Sequence, residues 1–209
     1  MNILSLATAF FLFLSTAVYA ADNTADKPHN NSADYNPIAM IESINTMTAD
    51  FTQINTIKNF GDDVYAGRLT IMSGQIALWD YTEPFVSWYI FSKDSITQYD
   101  GVNNQLIIYE GDQSTSNVLL QILLDIKSAK DNFNITHQND TIYLEPKEDL
   151  GIKDISLKLT DGVISEMKSS DNAGNTSRII FKNVSINIPL NEEMFLKEAP
   201  KDAEVFRHK

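Results

Sequence analysis

From Ala49 onward the chain alternates hydrophobic and polar positions with a period of two. Ala49, Phe51 and Gln53 alternate with polar neighbours, and Leu69 and Ile71 alternate with Arg68 and Thr70. Val86, Trp88 and Ile90 share one face of the next run. Leu106/Ile108, Ile142/Leu144, the set Ile155, Leu157 and Leu159, and Ile179/Phe181 follow. Successive side chains of a strand point to opposite faces, so each run reads as a strand with an apolar side. Around Trp79 both faces are mixed, with Ala77, Trp79 and Tyr81 opposing Ile76, Leu78 and Asp80. Turn residues punctuate the runs: Gly61-Asp62, Thr82-Glu83-Pro84, Asp100-Gly101, Asn103-Asn104, Asp161-Gly162 and Asn172 to Asn175. Further strands or ends fall near 184–188 and 195–205. The pattern predicts one mainly β domain over 37–209, a largely antiparallel sheet of eight or more strands without tandem repeat or internal linker.

Two segments break the alternation. Asn36-Pro37 reads as a cap followed by proline at the first helical position, and Ile38, Ile41, Ile44 and Met47 then recur every third residue. A helix over about 37–47 is expected. The second segment, SNVLLQILLDIK (116–127), places Leu119, Ile122, Leu123 and Ile126 on one helical stripe. Val118, Leu120 and Leu124 make the opposite side apolar as well. Such a helix is either buried in the core or a lid with one face on the sheet and the other offered to a ligand.

Residues 3–18, ILSLATAFFLFLSTAV, carry no charge, and Val18-Tyr19-Ala20 offers small residues where a signal peptidase reads. The run is short and interrupted by Ser and Thr, which predicts a signal peptide over 1–20, cut after Ala20, in preference to a membrane anchor. Residues 21–36 are polar and rich in Asn and Asp, and a disordered leader is expected there. The chain has no cysteine. An exported protein without disulfides relies on its core alone, which suits a bacterial periplasm, and it offers no cysteine for a lipid anchor. The formal charge of −12 disfavours nucleic acid and stable binding to anionic membrane surfaces.

Candidate chemistry is sparse. His29, His137 and His208 have no partner at ligand or triad spacing. Asp62-Asp63, Glu148-Asp149 and Glu192-Glu193 sit in polar, turn-like stretches, and the eight glycines read as turn residues. No catalytic residue, metal or cofactor is expected. Apolar surface remains: a sheet lined by Leu, Ile, Val and Trp and capped by helices can bury acyl chains at about 0.8 kcal/mol per methylene.

Several segments, in this order and spacing, resemble the periplasmic lipoprotein carriers of the LolA family. They are TADFTQ (48–53), GRLTIMSGQIALWDYTEP (67–84), Tyr99-Asp100, LEPK (144–147), DNAGNTSRIIFKNVSIN (171–187), and finally Phe195, Pro200 and Val205. The likeness runs from about residue 38 to 205. It implies an antiparallel, incompletely closed β-barrel covering a hydrophobic cavity with an α-helical lid, the LolA/LolB-like fold. It implies a soluble periplasmic carrier that takes acylated lipoproteins released by an inner-membrane ATP-driven transporter and delivers them to an outer-membrane receptor. A monomer is expected. Carriage of other lipids or lipid-like molecules by the same half-barrel is the alternative. The residues assigned to the cavity lining and lid are Ile41, Phe51, Leu69, Ile71, Trp79, Trp88, Ile90, Leu119, Leu123, Ile155 and Leu157.

The chain departs from the family at one turn. Many members carry an arginine-proline pair before the tryptophan, and the arginine is thought to latch the lid. Counting from Gly67, Ser73 and Gly74 stand there. Serine offers a short neutral hydrogen bond in place of a charged fork. Ser92-Lys93 likewise stands where the family has an Asp-Gly turn.

Overall fold

The computed structural model describes residues 35–111, 122 and 126–208. The expected signal peptide, most of the leader, and residues 116–121 and 123–125 of the apolar helix lie outside the described residues. Chain order is α1 (Pro37–Glu42), β1 (Thr46–Ile57), β2 (Gly61–Met72), β3 (Ile76–Glu83), β4 (Ser87–Ser92), β5 (Ser95–Asp100) and β6 (Gln105–Glu110). Then come α2 (Ile126–Asn132), β7 (Phe133–Gln138), β8 (Thr141–Pro146), β9 (Ile152–Thr160), β10 (Val163–Asp171), β11 (Thr176–Ile186), a 3-10 turn (Glu192–Phe195) and β12 (Glu204–His208).

The twelve strands of the described residues form one open sheet in the order β12-β6-β5-β4-β3-β2-β1-β11-β10-β9-β8-β7. Hairpins build its two wings, and β1 joins them by pairing with both β2 and β11. Every pair is antiparallel except β12–β6. The exception arises because residues 187–203 cross back over the sheet before β12 begins. Glu204 N–H donates to Asn104 O at 2.9 Å, which sets β12 beside the start of β6.

Helix α1 is shorter than its periodicity predicts. Asn36 Oδ1 accepts from the N–H groups of Ile38 and Ala39 at 3.0 and 3.2 Å, the expected cap. The helix stops at Glu42, and Met47 belongs to β1, where it pairs with Ile71 and Ile186. Thr46 and Thr48 are β-branched and gain partners on both sides, so sheet pairing overrides the three-residue repeat.

Directly paired residues share a face of a sheet. The row Ala49–Leu69–Trp79–Tyr89 crosses β1 to β4 and packs in one core cluster with Ile41 of α1, Ala129 of α2 and, ahead of α2 in sequence, Ile122. That face carries the helices. The opposite face holds a smaller cluster of Leu78, Trp88 and Tyr99, closed by Phe195 from the returning tail. Lys197 Nζ fastens this strap to Asp80 Oδ2 at 2.5 Å.

One expectation about facing is overturned. Trp88 and Ile90 lie on the strap-covered face with Leu78, while Tyr89 and Phe91 turn toward the helices. Val86 lies before β4 in a turn, 59% exposed. In SWYIFS both parities are apolar because both faces of β4 are covered, so alternation there carries no direction.

Candidate functional site

Seven of the residues assigned from sequence come together on the helix-bearing face. Ile41, Phe51, Leu69, Ile71, Trp79, Ile155 and Leu157 all belong to the main cluster and are buried. Trp88 and Ile90 are not among them. Leu119 and Leu123 lie outside the described residues; Ile122, between them in sequence, is buried in the same cluster.

Aromatic rings bind β1 to β4 along this face. Phe51 lies 5.0 Å from Trp79 and meets Tyr81 edge-on at 5.2 Å. Tyr81 contacts Tyr65 at 6.0 Å and Tyr89 at 6.2 Å, and Tyr89 stacks on Phe91 at 5.8 Å. Such pairs contribute roughly 0.5–1.5 kcal/mol each beyond the area they bury. The other wing continues the lining with Ile142, Leu144, Met167, Ile179 and Phe181. Sequence reasoning placed most of these on strands without assigning them to the site. Their alternation was the available signal.

Ser73 sits in the β2–β3 turn, half-buried, and its N–H donates to Asn45 O at 2.8 Å. Asn45 N–H in turn donates to Asn187 Oδ1 at 2.7 Å. The position of the family arginine therefore lies against the segment that leads from α1 into β1. Gly74, where the family has proline, has φ +70°.

Burial pushes the Tyr81 hydroxyl well above its ordinary range, with the neighbouring Tyr89 and Tyr65 adding to the effect. Tyr89 is raised as well, first by burial and then by Asp100, Tyr109 and Tyr65. Below about pH 10 both phenols are neutral folded and unfolded, and the fold's stability is complete. Above that, only the unfolded chain ionises, so stability falls by up to about 1.4 kcal/mol per pH unit for each tyrosine. Denaturant midpoints measured from pH 8 to 11.5 are expected to hold and then drop. The Tyr89→Phe variant is expected to show a shallower drop.

Among the described residues no group of three or more His, Cys, Asp or Glu could hold a metal ion. His137 is exposed on β7, and His208 stacks on Tyr109 at 5.0 Å. No described helix is long and apolar enough to cross a membrane. The arrangement offers an apolar, aromatic-rich surface between sheet and helices, which can hold an apolar guest by burial.

Known proteins place the chain. The family described as "Outer membrane lipoprotein carrier protein LolA" matches residues 42–197. The chain is 27% identical to the outer-membrane lipoprotein carrier protein of Methylococcus capsulatus over 183 residues, 82% of this chain and 86% of that protein. It is 22% identical to the protein of the same description from Idiomarina loihiensis, covering 94% and 95% of the two chains. Among solved structures, an uncharacterized conserved protein from Thermus thermophilus shares the fold with a TM-score of 0.52 at 13% identity, over 82% of this chain and 97% of that one. A family match that spans the sheet from β1 through β11 leaves one conclusion: the chain belongs to the LolA family of outer-membrane lipoprotein carrier proteins.

Proposed function

We propose that this protein is a soluble periplasmic carrier that shields the acyl chains of lipoproteins on their way to the outer membrane, and that it works without catalysis. The family match over residues 42–197 carries this reading. The buried aromatic face supplies a physical means, since every methylene taken from water contributes about 0.8 kcal/mol. Cleavage after Ala20 would release the mature chain, and 37–209 would form its single carrier domain. An inner-membrane ATP-driven transporter would supply the acylated lipoprotein and an outer-membrane receptor would accept it.

The acyl-binding lining is assigned to Ile41, Phe51, Leu69, Ile71, Trp79, Ile155 and Leu157, with Leu119 and Leu123 on the lid. Trp88 and Ile90 are removed from it by their position under the strap. Ser73 N–H holds the β2–β3 turn to Asn45 O, and a serine at this position cannot supply the charged fork of the family's arginine.

The test is uptake of a fluorescent triacylated peptide by the purified mature chain, with mass spectrometry of whatever co-purifies from the native periplasm. The carrier is expected to take up the peptide and to bring acylated lipoprotein with it. Leu119→Glu with Leu123→Glu is expected to cut uptake at least tenfold while secretion continues, because two charges would face hydrocarbon. Absence of both co-purifying lipid and peptide uptake in the unaltered chain would sink the carrier reading. Normal uptake by the double variant would remove the lid from the site.

A further inference from the structure

One stretch of the helix-bearing face is polar. Asn55, Ser177 and Ser169 are paired positions on β1, β11 and β10, and they form a row across three adjacent strands. Ser169 and Ser177 are 3% and 6% exposed, and Gln53, in the neighbouring row, is 4% exposed. A directed chain of hydrogen bonds runs through the group. The Tyr81 hydroxyl donates to Gln53 Oε1 at 2.7 Å. The Gln53 amide nitrogen is thereby left to donate to Asn55 Oδ1 at 3.0 Å and to Ser177 Oγ at 3.4 Å. Asn55 has its carbonyl oxygen engaged, and its Nδ2 is buried without an acceptor among the described residues. Ser169 Oγ is also buried without a partner among them.

Buried donors are nearly always paired, and two in one row of one face, on β1 and β10 with only β11 between them, call for a shared explanation. The amide nitrogen can only donate, and the hydroxyl can donate as well. A fitting guest brings acceptor oxygens at this end and hydrocarbon for the apolar rows alongside, where Ile155 shares the row of Ser169 and Leu157 pairs with Met167. Asp63 pairs directly with Asn55 on the β2 side, which disfavours a negatively charged guest such as a free fatty carboxylate. A neutral carbonyl joined to an acyl chain meets each requirement.

We infer that Asn55 and Ser169, oriented by Gln53, Tyr81 and Ser177, form a polar subsite for the ester carbonyls at the head of fatty acyl chains. The inference rests on the carrier reading and adds the chemical group that the carrier holds. Acyl esters occur in both diacylglyceryl lipopeptides and phospholipids, and the two are separated by experiment.

The purified mature chain is loaded with a fluorescent acyl probe, which is then displaced by a diacylglyceryl lipopeptide, by its dialkyl ether counterpart of equal chain length, or by a diacyl phospholipid and its ether counterpart. The ester lipopeptide is expected to bind about tenfold more tightly than the ether, the worth of one to two neutral hydrogen bonds. Asn55→Leu is expected to bring that ratio near one, and Ser169→Ala to about threefold. Thermal unfolding verifies that each variant is folded; should Asn55→Leu fail to fold, Ser169→Ala alone decides. Equal, tight binding of ester and ether by the unaltered chain overturns the subsite and leaves the carrier standing. Failure to bind either takes down the carrier reading and the subsite with it. An ester preference that survives both substitutions overturns the assignment to these residues. A preference shown only between the phospholipids keeps the subsite and overturns the lipopeptide as its source.

Discussion

Replacing Trp79 by alanine is expected to lower unfolding stability by about 3–5 kcal/mol, the range for deleting a large buried aromatic. In a domain of this size that corresponds to a fall in Tm of about 6–20 °C. Trp79 is 1% exposed and contacts the rings of both Phe51 and Tyr81, so no flanking side chain can close the gap without moving another. The same change is expected to impair acyl uptake, because Trp79 lies on the helix-bearing face. Trp88→Ala supplies the contrast. Trp88 is 3% exposed and belongs to the strap-covered cluster, so its loss is expected to reduce Tm similarly while the folded fraction retains uptake. Thermal unfolding and peptide uptake measured on both variants separate the faces. Equal uptake loss in the two would mean that the faces do not divide the work.

Gly67→Ala is expected to cost about 3 kcal/mol or more, although it adds a single methyl group. A Cβ at Gly67 would stand 2.0 Å from the carbonyl oxygen of Asp80 and 2.9 Å from the Cα of Tyr81. Both obstacles are backbone, in the strand that carries Trp79 and Tyr81. The clash falls where the β2–β3 register shifts between Ala66 and Gly67, so relief would require unpairing the strands there. Gly74→Ala is the matching control. It meets nothing within 4 Å, and only its φ of +70° resists a side chain, at about 1 kcal/mol. Urea unfolding with an unchanged m-value would give both costs directly. A Gly67→Ala midpoint equal to that of the unaltered protein would show that the bulge is softer than its geometry suggests.

The strands were legible wherever one face was wet. In β9 the set Ile155, Leu157 and Leu159 is buried while Lys158 and Thr160 between and beyond them are exposed, so periodicity alone gives both element and facing. It failed in β4, where Trp88, Tyr89, Ile90 and Phe91 are all apolar. The residues that decide their direction, Phe195 and the strap, lie about a hundred positions downstream. The end of α1 was obscured because Met47 continues a three-residue repeat that the sheet then overrides. The parallel pairing of β12 depends on where the strap lands, which no local pattern encodes. Of the candidate site, Leu69, Ile71, Ile155 and Leu157 could be read as lying on a buried face from alternation, because burial selects residue type. The hydrogen bond from Tyr81 to Gln53 could not, since it joins side chains on β3 and β1 that only the folded sheet brings together.

The pairing of β1 with β11 also sets a timetable for folding. Strand β1 has one neighbour immediately after it and the other more than a hundred residues later. Neither wing can be joined to the other until β11 is present, and Trp88 remains uncovered until Phe195 has arrived. Contacts this distant in sequence form slowly. Under the export proposed above, in which the chain would be drawn unfolded through a membrane pore with its N-terminus leading, the delay would be useful. The joined sheet would then be unable to assemble behind the pore and jam it while β11 and Phe195, which complete it, are still to be made.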